Sequence, residues 1–280
     1  MSPAEIRNVL VVGAGEMGSG IAQTVAAAGF QTTVAARRQA GIDRCRHRIA
    51  GWMERGKLAP DAFARLTFTT DWEAAAPETD HVVEAVTERL DVKDPVLARL
   101  DALCRDDVIL ASTTSQFEIT RLASVTRRPD RVIGTHWFNP PPVMKLIEVV
   151  RGEATSAGTL ATTLALCERF GKQTVVCKRD TPGFITSRLI MLLVVEAARI
   201  VEDGVADAED VDRACQLAFN HAMGPLHTAD LGGLDTARLT TNALADALGE
   251  RFRSPALLDR LVAGGDLGRK SGRGFHPYGG

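Results

Sequence analysis

Charge of one sign is what this sequence most lacks. Its 33 lysines and arginines nearly cancel 35 aspartates and glutamates, leaving a formal charge of −2. A nucleic acid therefore has no bulk electrostatic reason to bind. Cysteine is sparse as well. Cys45, Cys104, Cys167, Cys177 and Cys215 are scattered, odd in number and free of any C-x-x-C spacing, which argues against structural zinc and for a reducing compartment. No apolar run can span a bilayer, since the longest, residues 189–195, is stopped by Glu196. A strand-like segment begins by Asn8, so no leader peptide fits. These absences make the cytoplasm the expected location, with no membrane partner. Low-complexity tracts and internal repeats are missing too. What remains is ordinary globular material: 280 residues, 45% hydrophobic and 24% charged, enough for two domains and a sizeable core.

The first half alternates short β-rich runs with helical stretches. Residues 9–12, 32–35, 81–83 and 108–110 are apolar, β-branched and bounded by turn residues. Unbroken apolar runs of this kind suit parallel strands buried on both faces. Helices are expected near Glu16, Gln39 and Val92, which is the rhythm of a doubly wound α/β sheet of Rossmann type. Beyond Asp180-Thr181-Pro182-Gly183-Phe184 the texture changes. Residues 184–203, 207–219 and 234–249 read as helices, and no further strand is evident. The expected division is a dinucleotide-binding domain over 1–180 and an all-helical domain over 181–280, whose apolar faces need a partner.

Gly13-Ala14-Gly15-Glu16-Met17-Gly18 follows the first strand and opens a helix. In a G-x-G-x-x-G turn so placed, Gly13 permits the tight bend, Gly15 admits a diphosphate, and Gly18 lets helix and strand pack closely. The second strand ends Ala35-Ala36-Arg37-Arg38, where an NAD enzyme normally carries a carboxylate for the ribose 2′-hydroxyl. Ala36 removes that repulsion, and Arg37 and Arg38 can bind a 2′-phosphate, so NADP(H) is expected over NAD(H).

His136 and Glu148 flank Asn139-Pro140-Pro141-Pro142, with a strand expected before the histidine and another at residues 146–150. Three prolines forbid a helix and turn the chain. If the two strands pair, Glu148 returns to His136, and a carboxylate on one imidazole nitrogen prepares the other to move a proton.

With these motifs the chain resembles the L-3-hydroxyacyl-CoA dehydrogenase family, from about Asn8 to Tyr278. The likeness runs through the glycine loop, the His136 to Glu148 block and Asp180-Thr181-Pro182-Gly183-Phe184. It continues in Met223-Gly224-Pro225-Leu226, Gly233-Leu234-Asp235-Thr236 and Gly268-Arg269-Lys270-Ser271-Gly272-Arg273-Gly274-Phe275. The resemblance implies oxidation of 3-hydroxyacyl thioesters and a homodimer formed through the helical domain. It implies His136 as general acid/base, Glu148 as its orienting carboxylate, and Ser115 and Asn139 as substrate-holding residues. Glu16, Met17, Glu88, Lys93 and Thr113 take cofactor-side positions, and Ser187, Arg55 and Lys57 substrate-side ones.

Several positions depart from the family pattern: Ala36 for an acid, Thr113 and Ser187 for asparagines, and Gln116 for a serine. The substrate can therefore be an acyl-CoA, an acyl group on a carrier protein, or a sugar acid. A non-catalytic, crystallin-like relative is a further alternative, opposed by the retained His136, Glu148, Ser115 and Asn139. Arg44, Arg48 and Arg55 recur at helical spacing as a basic face, either solvated or touching the CoA nucleotide. His47, His81, His221, His227 and His276 show no metal-ligand spacing, and Trp52, Trp72 and Trp137 read as packing residues, Trp137 with a possible place in the pocket.

Overall fold

A computed structural model describes residues 3–279, which form two compact units that meet in sequence between Thr181 and Pro182. The first holds strands β1 (Asn8–Val12), β2 (Gln31–Ala35), β3 (Leu66–Thr69), β4 (His81–Glu84), β5 (Ile109–Ser112), β6 (Val132–Trp137), β7 (Leu146–Val150) and β8 (Gln173–Cys177). They make one sheet in the order β3-β2-β1-β4-β5-β6-β7-β8. Every pairing is parallel except β6 with β7. Helices α1 (Glu16–Ala27), α2 (Gln39–Glu54), α3 (Pro60–Ala64), α4 (Trp72–Ala75), α5 (Leu90–Leu103), α6 (Ile119–Ala123) and α7 (Ala157–Arg169) supply the connections. This is the doubly wound arrangement expected of the alternating runs. β4, β5 and β6 are buried along their whole length, as strands covered on both faces must be.

The sequence reading misses two strands, and both lie at the sheet's edges. β3 is nowhere fully buried, and β8 alternates exposed and half-buried positions before Cys177. An edge strand covered on one side has no need of an apolar run, so its signal is weak.

β1 lies between β2 and β4, so the connections leaving it and β4 run to opposite sides. That reversal opens a crevice at the carboxyl ends of the strands. His81 stands at the buried start of β4, where among the described residues its Nδ1 has no hydrogen-bond partner. Burial pushes its pKa down from 6.5 to about 4. The folded protein therefore resists a proton that the unfolded chain accepts, and stability should fall as pH drops from about 6.5 towards about 4. The linked loss is about 2 kcal/mol by pH 5. Denaturant unfolding at pH 7 and pH 5 should show a smaller acid loss for His81→Leu than for the parent. Equal losses would show that His81 does not govern this range.

The second unit is helical: α8 (Thr186–Glu202), α9 (Ala208–Phe219), α10 (Pro225–Gly232), α11 (Leu234–Leu248) and α12 (Ala256–Ala263). α10 and α12 were not anticipated, being eight residues each and too short to establish a period. Asp212, on α9, binds two other segments here. It accepts the Leu226 and His227 amides at the start of α10, and its Oδ2 lies 2.5 Å from His227 Nδ1 and 2.8 Å from His276 Nε2. The two imidazoles stack at 3.7 Å. Their spacing in sequence gives no hint of the meeting, which a carboxylate on a third segment brings about.

Candidate active site

The glycine loop is shaped by contacts at two glycines and by open space at the third. Gly13 has φ +127°, and a Cβ on it would come within 2.2 Å of the Ala85 carbonyl oxygen. A Cβ on Gly18 would come within 1.8 Å of the Gly13 oxygen. Nothing lies within 4 Å of the position a Gly15 Cβ would take, because Gly15 borders the crevice. α1 starts there without a side-chain cap, so its first amides are available to an anion. The crevice measures about 840 Å³ and is lined by residues 13–17, among them Glu16 and Met17. Its shape and donor set fit a dinucleotide diphosphate. Gly18 packs helix against strand and does not line it.

At the end of β2, Ala36 is half-buried and Arg37 and Arg38 are exposed, all three on the crevice. Among the described residues neither guanidinium pairs with a protein group. Glu16 and Glu88 are the acids that line the crevice, and no carboxylate stands at the end of β2. Among the lining residues that sequence reasoning did not place here are Trp72, Arg44 and Arg48. Arg44 and Arg48 sit one turn apart on α2, a spacing that was visible but had no direction until α2 packed beside α1. Trp72 follows β3, a strand with too little apolar signal to be recognised. Of the other tryptophans, Trp137 is buried in the core and Trp52 packs against it. Arg55 and Lys57 lie past the end of α2, exposed and away from the crevice lining.

Glu88 lines the crevice, but Lys93 does not. The Lys93 side chain is fully enclosed, its ammonium 2.9 and 3.0 Å from the Glu84 carboxylate oxygens and 3.1 Å from Glu88 Oε2. The lysine thus stands behind the crevice lining, because two carboxylates drawn together by the β4 turn need a cation between them. Ser112 Oγ donates to Glu84 at 2.6 Å. Glu88 Oε1 in turn accepts the Thr114 hydroxyl at 2.5 Å and the Ser115 amide at 3.0 Å. This network fixes the loop after β5, which presents Thr113 and Ser115 to the crevice.

β6 and β7 pair antiparallel with His136 directly opposite Glu148. Their side chains meet at 3.1 Å, Nδ1 to Oε2, with Glu148 fully buried and His136 nearly so. A carboxylate on Nδ1 selects the tautomer and assigns proton exchange to Nε2. The Phe138 ring covers the imidazole at 4.6 Å. In the loop that follows, Asn139 Nδ2 donates to Glu16 Oε1 at 3.0 Å, tying the histidine's loop to the first turn of α1. Lys172 donates to the Pro141 and Met144 carbonyls at 2.6 and 2.7 Å. The loop is therefore anchored at both ends. Ser187 lies in the first turn of α8, in the second unit, and is half-buried.

Comparison with known proteins bears on this arrangement. Residues 8–181 match the family description "3-hydroxyacyl-CoA dehydrogenase, NAD binding domain", and residues 183–278 match "3-hydroxyacyl-CoA dehydrogenase, C-terminal domain". A probable 3-hydroxybutyryl-CoA dehydrogenase of Bacillus subtilis is 42% identical over 283 residues, 98% of each chain. A 3-hydroxybutyryl-CoA dehydrogenase of Mycobacterium tuberculosis is 42% identical over 288 residues, covering 98% of this chain and 99% of that one. The crystal structure of (S)-3-hydroxybutyryl-CoA dehydrogenase PaaH1 from Ralstonia eutropha superposes with a TM-score of 0.93 at 37% identity, over 99% and 100% of the two chains.

Proposed function

Because this chain belongs to the 3-hydroxyacyl-CoA dehydrogenase family, an NAD(P)-dependent group of oxidoreductases, we propose that it interconverts a 3-hydroxyacyl thioester and the 3-oxoacyl thioester with NADP(H) as the preferred cofactor. The pair best supported by its relatives' names is 3-hydroxybutyryl-CoA and acetoacetyl-CoA. The observation that carries the chemistry is the buried His136–Glu148 contact at 3.1 Å on paired strands.

When bound, the nicotinamide supplies the acceptor for the hydride leaving C3. His136 takes the hydroxyl proton through Nε2, and Glu148 stabilises the imidazolium that results. Ser115, on the loop fixed by Glu88, and Asn139, on the loop docked to Glu16, hold the substrate oxygen in line. In the reducing direction the imidazolium returns the proton to the forming alkoxide. NADP(H) is favoured by the acid-free end of β2 and the unpaired Arg37 and Arg38. The second unit is the proposed homodimer surface, since Leu189, Leu217, Phe219 and Leu239 are large apolar side chains left exposed on its helices. Among the described residues no helix is long and apolar enough to cross a membrane. The five cysteines are unpaired and buried, in keeping with a reducing cytoplasm.

Oxidation of NADPH on adding acetoacetyl-CoA tests the assignment. Turnover with this thioester is the expected result. Turnover only with a carrier-protein-bound acyl group or a sugar acid would keep the chemistry and change the substrate. Cofactor binding without any turnover would leave a non-catalytic relative.

A further inference from the structure

We propose that Arg48, on α2, is a ligand to the diphosphate of the bound dinucleotide, acting beside the first turn of α1. The inference rests on reading the crevice as the dinucleotide site and adds a side-chain cation to a contact otherwise made by backbone amides.

Arg48 lines the same crevice as Gly15 and Glu16 and is half-buried. Its Nη1 donates to Ser19 Oγ at 2.8 Å and reaches the Gly15 carbonyl oxygen at 3.4 Å. Ser19 is fully buried and donates its own hydroxyl to that carbonyl at 2.6 Å. The guanidinium is thus clipped to the glycine loop itself. One edge is spent on this anchor. Among the described residues Nε and Nη2 bond no protein group, and no carboxylate pairs with the charge. A half-buried arginine held in one place with an unpaired edge is preorganised for an anion, and a guanidinium fork matches phosphate oxygens in two-point contact.

Local electrostatics give the cation a purpose. Glu16 stands in the first turn of α1 and places a carboxylate where the helix would otherwise offer only positive potential. Its bond to Asn139 keeps it there. A diphosphate arriving at these amides meets that negative charge, and Arg48 offsets it. Arg37 and Arg38 serve a different phosphate, because they stand at the end of β2 and not on the glycine loop.

The two roles separate by ligand. The diphosphate is common to NADPH, NADH and ADP-ribose, whereas adenosine 2′-monophosphate carries only the phosphate that Arg37 and Arg38 would read. Arg48→Gln removes the charge and keeps a polar amide, but its shorter chain also gives up the anchor on Ser19, a loss that Ser19→Ala measures separately. Calorimetry should find NADPH, NADH and ADP-ribose each weakened about tenfold to a hundredfold, with their ratio preserved and the salt dependence of ADP-ribose binding reduced. Adenosine 2′-monophosphate and CoA should bind as before, and Arg48→Lys should recover part of the loss. Ser19→Ala, which frees the guanidinium, should weaken ADP-ribose by less than Arg48→Gln does. Unchanged ADP-ribose affinity in Arg48→Gln overturns the proposal. So does a loss confined to NADPH and adenosine 2′-monophosphate, or one confined to CoA. If Arg48→Gln does not fold, Arg48→Lys and Ser19→Ala decide on the same ligands. Failure of the parent protein to bind ADP-ribose is a separate outcome that removes the dinucleotide reading of the crevice itself.

Discussion

His136→Ala is expected to lower kcat by about 10²–10⁴-fold while NADPH binding is retained, the usual cost of losing a positioned acid/base. The size of the loss follows from where the imidazole sits. Its Nδ1 is engaged by a carboxylate with no solvent exposure, 3.1 Å away on the opposed strand. Phe138 covers its ring, and the loop beyond it is fastened to Glu16 and Lys172. Water has neither the geometry nor the charge partner to replace it. Glu148→Gln keeps the shape of the pair but cannot stabilise imidazolium as an anion does, so kcat should fall again. KM for the cofactor should move little in both variants, because neither residue lines the nucleotide crevice. A folded His136→Ala protein with parental kcat would remove the pair from the mechanism.

The second large effect concerns cofactor choice. A kcat/KM preference for NADPH over NADH of at least tenfold is expected. A well-formed guanidinium–phosphate bond contributes about 1.5–3 kcal/mol, and about 1.4 kcal/mol is a factor of ten. Ala36 brings no carboxylate to repel a 2′-phosphate, and Arg37 and Arg38 stand on the crevice without partners among the described residues. Their charges are not spent on intramolecular pairs. Introducing Ala36→Asp together with Arg37→Ile restores an acceptor for the ribose hydroxyls and removes one cation. The preference should shift towards NADH, mainly through KM for the cofactor. Initial rates with both cofactors and acetoacetyl-CoA measure it. A parental enzyme that favours NADH would mean that Arg37 and Arg38 point to solvent.

Much of the fold was legible in the sequence because burial writes itself into composition. The buried strands β1 and β5 carry unbroken apolar runs, β4 and β6 shorter ones at Val82-Val83 and Val132-Ile133, and long helices such as α8 carry a full period. β3 and β8 were missed because edge strands are wetted, and α10 and α12 because two turns are too few to show a period. The glycine loop was legible for a different reason. A φ of +127° at Gly13 and a 1.8 Å approach at Gly18 leave glycine as the residue that fits, so the letters themselves record the geometry.

The candidate site divides along the same line. Residue type and local order alone pointed to a nucleotide turn, an acid-free second strand, and a histidine and a glutamate on successive strands. Which groups touch depended on registers and helix packing, which no local pattern encodes. Strand register set His136 opposite Glu148, and a one-residue slip would have sent them to different faces. The turn after β4 enclosed Lys93 between two carboxylates, behind the crevice lining. The packing of α2 on α1 gave the Arg44–Arg48 face its direction, bringing Arg48 to Ser19 across 29 positions of sequence. Sequence determined the elements and their chemistry, because burial and backbone conformation act residue by residue. Tertiary structure decided the partners, because a side-chain contact needs two distant segments placed to within about an ångström of each other.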